Sequence, residues 1–125
     1  FSIGAVANPG DSLSISMTAG LSGTSMTDTE IALYDGNGDL IGTNDDIGSS
    51  NLFSILNFTH LASLDAGNYT LVTGGYNTLF PSTLDGTFSP GTNAGTYELA
   101  ITYVPTPGAL ALLGMGGLIA NRRRR

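Results

Sequence analysis

The sequence contains no cysteine and no lysine, one histidine, and no arginine before Arg122. Without cysteine, the chain forms neither a disulfide nor a thiolate zinc site. The four arginines stand together as Arg122–Arg125, so the preceding 121 residues carry ten acidic side chains and no Lys or Arg, a formal charge of −10. This balance excludes binding to nucleic acid, whose phosphate backbone requires Lys and Arg, and it favours cations.

Residues for catalysis are equally scarce. His60 is the single histidine, with Ser63 and Asp65 close by in sequence. A general base of this kind needs a nucleophile and an orienting acid, and no Gly-x-Ser-x-Gly elbow accompanies these residues. Nothing in the sequence marks a carboxylate pair for glycoside hydrolysis. We therefore predict that the chain is not an enzyme and that His60 is structural.

The composition before Pro105 favours strands, because Gly, Ser, Thr and Asn are abundant and helix formers are few. Clean alternation predicts half-buried strands at Ser12–Thr18 and Thr96–Tyr103. The poorly alternating segment Leu52–Phe58 predicts a strand buried on both faces. Six to eight such strands predict an all-β antiparallel β-sandwich over residues 1–103. The predicted core residues are Leu13, Ile15, Ile31, Leu33, Ile55, Leu71, Leu99 and Ile101.

The N-terminus of this domain is expected to be truncated. The sequence begins at Phe1 without an initiator methionine or a signal peptide, and its first seven residues have the apolar content of a strand. We therefore expect the chain to be a fragment or a processed form, in which the beginning of this first strand is missing.

The segment from Asp28 to Asp46 organises the domain, because it holds six of the ten acidic residues. Thr29–Tyr34 alternates, a Gly-rich acidic turn follows, and Leu40–Thr43 forms a short second strand. Alternation on both sides of an Asx/Gly turn predicts a β-hairpin. Carboxylates gathered at both ends of that hairpin repel one another unless a cation lies between them.

Asp35, Asn37 and Asp39 have the i, i+2, i+4 spacing of the first half of a calcium loop. Asp45 and Asp46 are placed to complete such a site from the neighbouring strand end, and Ca²⁺ takes six to eight hard oxygens. The site is not an EF-hand, since the sequence favours no flanking helices. The alternative is that these side chains simply form the turn by hydrogen-bonding to their own backbone.

Three motifs of the domain together resemble bacterial pre-peptidase C-terminal domains and their exported relatives. They are Asp11-Ser-Leu, the run from Asp28 to Asp46 with its Ile-x-Leu-Tyr-Asp and Asn-Asp-Asp elements, and Leu64-Asp-Ala-Gly-Asn-Tyr-Thr-Leu71. The resemblance covers the first and middle parts of the chain. It implies a jelly-roll-like sandwich.

The composition changes at Val104. A Val104-Pro105-Thr106-Pro107 motif is followed by thirteen residues without a polar side chain, Gly108–Ala120, then by Asn121 and the four arginines. This order resembles a PEP-CTERM sorting signal over residues 104–125, with Thr106 where that family most often has Glu. Thirteen helical residues at about 1.5 Å each fall short of the ~30 Å hydrocarbon core, and seventeen, counted from Val104, reach the low end of a spanning segment. The alternative is a buried core helix.

The resemblance of the tail implies processing by an exosortase-like enzyme. It also implies a transient inner-membrane anchor by a short hydrophobic helix, and a final place at the cell surface or outside the cell, in an exopolysaccharide-rich envelope or biofilm. Arg122, Arg123, Arg124 and Arg125 would stay on the cytoplasmic side and orient the segment. We therefore expect a non-catalytic exported module with a structural or adhesive role.

Two further functions remain open. Tyr76, Phe80 and Phe88 lie in or beside a long Gly/Pro/Ser/Thr-rich segment, residues 77–95. They either stack on sugar rings, which would make this a calcium-dependent module that binds extracellular polysaccharide, or pin the loop to the sandwich. The other possibility is an accessory domain of an exported hydrolase or peptidase whose catalytic part precedes Phe1.

Overall fold

The computed structural model describes residues 1–3, 11–58, 64 and 67–104. Within these residues the chain is all-β and contains no helix. His60, Ser63, Asp65 and the tail from Pro105 to Arg125 lie outside the described residues. The predicted C-terminal helix and the predicted strand beyond Ile3 lie outside them as well.

The strands of the described part are short and separated by turns. In chain order they are β1 (Ser2–Ile3), β2 (Ser12–Ala19), β3 (Thr29–Tyr34), β4 (Leu40–Asn44), β5 (Ile55–Phe58), β6 (Gly67–Asn68), β7 (Thr70–Gly75) and β8 (Tyr97–Val104). The predicted bounds of β3 are confirmed. β2, β4 and β8 begin or end within one residue of their predicted bounds, and the segment predicted as Leu52–Phe58 is a strand only from Ile55.

The strands form two three-stranded antiparallel sheets and one two-stranded pair. The sheets have the orders β5-β2-β8 and β4-β3-β7, and β1 pairs with β6. β2 and β3 are therefore the central strands. β4 and β5 contact each other across the sheets, as β2 and β3 do. The predicted antiparallel two-sheet architecture is confirmed at this level.

The core lies between the two central strands. On β2 the alternation of the sequence is reproduced, since Leu13, Ile15 and Met17 are buried and the residues between them are half-exposed. From β3, Ile31 and Leu33 face the same core and are fully buried. Burial of four predicted core residues is confirmed: Leu13, Ile15, Ile31 and Leu33. Leu71 is partly buried and packs against this cluster.

Two predicted core residues, Leu99 and Ile101, are not buried, and their prediction was wrong. Their side chains are 42% and 44% exposed. The register pairs Ile15 with Ile101 and Met17 with Leu99, so β8 presents the predicted face. However, β8 is an edge strand of its sheet. Alternation identifies a face but does not tell whether the opposite sheet extends far enough to cover it.

The prediction that Leu52–Phe58 is buried on both faces was also wrong. Only Leu56 of β5 is a buried residue, Asn57 is exposed, and Ile55 is partly exposed. β5 lies at the edge of its sheet, where one face remains open to solvent.

β3 shows the opposite deviation, because all six of its residues are buried. Its outer face is covered by the long segment 77–95. The hydroxyl of Tyr34 donates to the carbonyl of Pro81 at 2.9 Å, and the ring of Phe88 lies edge-on to that of Tyr34, with 6.2 Å between centroids. The alternation of β3 thus separates two buried environments rather than core from solvent.

Candidate metal centre

Three acidic side chains meet where β3 begins and β4 ends. Asp28 immediately precedes β3, and Asp45 and Asp46 immediately follow β4. The antiparallel register pairs Ile31 with Asn44, which brings the residues before β3 beside those after β4. One carboxylate oxygen from each of Asp28, Asp45 and Asp46 lies within 4.8 Å of the others. We call this group the acidic triad.

A buried polar cluster fixes the backbone under the triad. The amide of Ser54 donates to the Thr29 hydroxyl at 2.9 Å, and the Ser54 hydroxyl donates to the carbonyl of Asp45 at 2.8 Å. The Ser54 hydroxyl also contacts the carbonyl of Thr29. The side chain of Asn44 accepts a 2.8 Å hydrogen bond from the amide of Ile55. The segment before β5 therefore holds both chain ends of the triad in place.

The electrostatics of the triad favour a cation. Oδ1 of Asp28 is buried and has no hydrogen-bond partner among the residues that the structure describes. Burial, followed by the charges of Asp45 and Asp46, raises the pKa of Asp28 above its usual value. Burial and the neighbouring Asp46 also raise the pKa of Asp45. Since the first 121 residues contain no Lys or Arg, no basic side chain of that part offsets this repulsion.

The structure gives the predicted calcium residues two separate settings. Asp45 and Asp46 belong to the triad, whereas Asp35 and Asp39 do not. Oδ1 of Asp35 accepts hydrogen bonds of 2.9 Å from the amides of Asn37 and Asp39, and these bonds, that of Asp39 first, lower the pKa of Asp35. In this structure the side chain of Asp35 stabilises the turn by accepting these backbone hydrogen bonds.

Asp28 was absent from the predicted site, although the hairpin contains the signal that identifies it. Ala32 pairs with Thr43 and Ile31 pairs with Asn44, so each step back along β3 is matched by one step forward along β4. Continued outward, that register places Asp28 beside the residues that follow Asn44. Spacing along one loop pointed instead to Asp35, Asn37 and Asp39.

A groove of about 400 Å³ adjoins the triad at Asp45. Glu30 forms part of its lining and is buried, with 7% exposure. Its carboxylate accepts a 2.6 Å hydrogen bond from the amide of Asn77, a residue with a left-handed φ of 65°. Burial raises the pKa of Glu30 more than the Asn77 bond lowers it, and Asp45 and Asp28 raise it further. Glu30 thereby extends the acidic surroundings of the triad into the groove.

The three predicted ligand-loop aromatics lie in different settings. Phe80 lines the groove beside Asp45. Phe88 packs on Tyr34 and fastens the long segment to the sheet. Tyr76 is 49% exposed and does not line this groove. Of these three aromatic residues, only Phe80 lines the groove that adjoins the triad.

No protein-family model, curated protein or solved structure matches this chain.

Within the described ranges, no helix is long and apolar enough to span a membrane. Of the predicted sorting residues, Val104 is the last residue of β8 and is 54% exposed. The others, Pro105, Thr106, Pro107 and Arg122–Arg125, lie outside the described residues.

Proposed function

We propose that the chain is a non-catalytic exported module of the bacterial cell surface or extracellular matrix, with a β domain that binds Ca²⁺ at the acidic triad. The finer architecture that we propose is a jelly-roll-like sandwich followed by a short hydrophobic helix. Export is supported by the order of Val104-Pro-Thr-Pro107, the apolar segment and the arginine cluster. An exosortase-like enzyme would cut near this motif after the segment has anchored the chain in the inner membrane.

The observation that carries the calcium assignment is the buried Oδ1 of Asp28, which has no hydrogen-bond partner in the described part of the chain and lies beside two further carboxylates. Leaving a buried polar atom without a partner costs about 1–3 kcal/mol, and more when the group is charged. Ca²⁺ binds carboxylates in one- or two-oxygen modes, accepts carbonyls and waters, and tolerates irregular geometry. Mg²⁺ requires a near-ideal octahedron and retains its waters, so we expect it to bind more weakly.

The melting temperature of the full chain tests the calcium site. Extracellular modules bind Ca²⁺ with Kd values of roughly 10⁻⁴ to 10⁻³ M, so 1 mM Ca²⁺ stabilises the native state by about 0.4–1.4 kcal/mol. We expect millimolar Ca²⁺ to raise the melting temperature at constant ionic strength, chelator to reverse the rise, and Mg²⁺ to produce less. Asp28→Asn and Asp45→Asn should remove the response.

Asp85→Asn is the matched control, because Asp85 is an exposed carboxylate outside the triad. Asp39→Asn distinguishes the triad from the site predicted from sequence, which includes Asp39. If the triad is the binding site, the melting temperature of this variant should still rise with Ca²⁺. Equal melting curves in Ca²⁺ and in matched Na⁺ would rule out the calcium assignment.

Export and sorting are tested by processing of the chain expressed behind a secretory signal peptide. Co-expression with an exosortase-like enzyme in a Gram-negative host should give a product that ends near Val104–Pro107, as read by intact mass. Replacing Arg122–Arg125 with Ser should reduce that product, because the arginines hold one end of the segment in the cytoplasm. A chain that reaches the inner membrane and stays uncut would contradict the sorting proposal, and this result would not bear on the calcium site.

A second candidate, a calcium-dependent glycan-binding module, is favoured by the groove beside Asp45. Phe80 supplies an aromatic side chain, and Asn44 and Asn77 supply polar groups, in the walls of this groove. Binding of extracellular polysaccharide in Ca²⁺ should then weaken in Phe80→Ala and persist in Tyr76→Ala. Equal binding by both variants would reject the groove as a sugar site.

A further inference from the structure

β8 carries an exposed apolar face that continues the core of the domain. Tyr97, Leu99, Ile101 and Tyr103 alternate along it. Leu99, Ile101 and Tyr103 pair in register with the core positions of β2, and Tyr97 pairs with the exposed Ala19. Their exposed fractions are 40%, 42%, 44% and 49%. We call these four residues the β8 stripe. Val104, which follows directly, is 54% exposed.

The polar atoms of the stripe already have partners within the protein. The hydroxyl of Tyr97 lies 3.0 Å from that of Thr73 on β7, and the hydroxyl of Tyr103 donates to the carboxylate of Asp11. Asp11 is itself fully buried. The surface that the stripe leaves uncovered is therefore largely ring and aliphatic carbon, which gains free energy when it is removed from water.

Apart from the buried Asp11, which accepts the hydrogen bond of the Tyr103 hydroxyl, the acidic residues described below lie away from this face. The one acidic residue of β8, Glu98, alternates onto the opposite face of the strand. The acidic triad lies at the ends of β3 and β4, and β4 is the edge strand of its sheet opposite β7. An anionic domain thus presents exposed side chains without charge along this strand face, whose Tyr97 end meets Thr73 of β7.

We propose that the β8 stripe docks on the lipid surface of the membrane into which the tail inserts; this inference rests on the proposed function. Val104 and Gly108, the first residue of the apolar segment, are four residues apart. At about 3.3–3.6 Å per residue, they are separated by at most about 14 Å. The end of β8 is consequently held at the bilayer, and tyrosine is enriched at that interface because its ring is apolar and its hydroxyl is polar.

A second copy of the chain fits this face less well. Dimerisation through the stripe would bring together two domains that each carry ten acids and no Lys or Arg before Arg122. Stable interfaces bury about 800 Å² per partner, and four half-exposed side chains supply only part of that area. A zwitterionic lipid surface adds no like charge, and the tail already brings it within reach.

Single-cysteine labelling of the full chain tests the proposal, because the sequence contains no native cysteine. Ile101→Cys reports on the stripe, Ala100→Cys reports on the opposite face of the same strand, and Leu112→Cys reports on the tail. Each variant carries an environment-sensitive fluorophore such as NBD and is mixed with phosphatidylcholine vesicles. We expect a blue shift and an intensity gain at positions 101 and 112, and a much smaller change at position 100.

The outcomes separate this proposal from the proposed function. A blue shift at position 112 with none at position 101 would overturn the docking of the stripe and leave the membrane anchor standing. No shift at any position would overturn both. A concentration-dependent shift at position 101 without vesicles would assign the stripe to self-association and reject the lipid surface. In Leu99→Ser, with circular dichroism confirming the fold, the shift at position 101 should fall, whereas Thr102→Ser should preserve it.

Discussion

The backbone amide of Ser54 donates a 2.9 Å hydrogen bond to the hydroxyl of Thr29, and both residues are fully buried. Their separation of 25 residues makes this a tertiary contact. Because Thr29 follows Asp28 and the Ser54 hydroxyl reaches the carbonyl of Asp45 at 2.8 Å, the pair joins both sides of the acidic triad. The polar core of the domain is thus also the support of its candidate metal centre.

Replacing Ser54 with Ala should therefore affect stability and calcium binding together. The change removes the contacts of the hydroxyl with the carbonyls of Thr29 and Asp45, and a buried acceptor left unsatisfied costs about 1–3 kcal/mol. Urea unfolding measures this loss, and the rise in melting temperature caused by Ca²⁺ should shrink as well. Ser82→Ala, at an exposed serine, is the control and should change neither quantity. A Ser54 variant as stable as the parent would show that the polar cluster does not support the fold.

The difference in burial between two paired residues on adjacent strands predicts a difference in the stability lost on substitution. Met17 and Leu99 are paired, yet Met17 is fully buried and Leu99 is 42% exposed. Met17→Ala should cost about 2–5 kcal/mol, the usual range for a buried Met or Leu, and Leu99→Ala should cost less than about 2 kcal/mol. Chemical unfolding of the two variants provides the comparison. Equal losses would mean that β8 is covered as fully as β2.

Much of the fold follows from local pattern. The alternation at β2 and the turn residues after Tyr34 predict strand, face and hairpin without any tertiary information. The local pattern does not predict how far the opposite sheet covers a given face. Ile15 and Ile101 have the same pattern and pair with each other, but one is central and the other lies at an edge. Strand order decides between them, and sequence periodicity does not contain strand order.

The same distinction explains the outcome for the candidate site. Spacing along one loop suggested Asp35, Asn37 and Asp39, whereas the triad depends on the pairing of two strands and on the position of Ser54 far along the chain. Asp45 and Asp46 were predicted from their position at the neighbouring strand end. Asp28 required the register of the hairpin, which the turn determines and which a bulge between Leu33 and Tyr34 shifts by one residue.

The hairpin turn makes a prediction of its own. Gly38 has a φ of +87°, and a Cβ built there would lie 3.3 Å from Cβ of Leu84. Gly38→Ala should cost about 1–2 kcal/mol, because a residue with a Cβ is strained in the left-handed region. Gly48 is the control, since it lies outside that region and a Cβ there meets nothing within 4 Å. We expect Gly48→Ala to be neutral or slightly stabilising; a neutral Gly38→Ala would show that the turn adopts another conformation.

The pH dependence of stability should have opposite signs with and without calcium. In chelator, the raised pKa values of Asp28, Asp45 and Glu30 mean that the folded state binds more protons than the unfolded state. Stability then increases as the pH falls from neutral through these folded pKa values, which lie above the ordinary 3.8 of Asp and 4.5 of Glu.

Asp35 acts in the other direction, but only at lower pH. Its pKa lies below 3.8, so the stability that it contributes is lost only as the pH falls through that lower value. With Ca²⁺ present, protons compete with the metal for the triad. The rise in melting temperature caused by Ca²⁺ should therefore disappear over the same pH range in which the calcium-free protein becomes more stable. Melting curves from neutral pH to just above 3.8, each with and without Ca²⁺, test this, and Asp28→Asn should flatten both trends. A melting temperature in chelator that falls steadily over this interval would show that the triad carries no mutual repulsion and needs no cation.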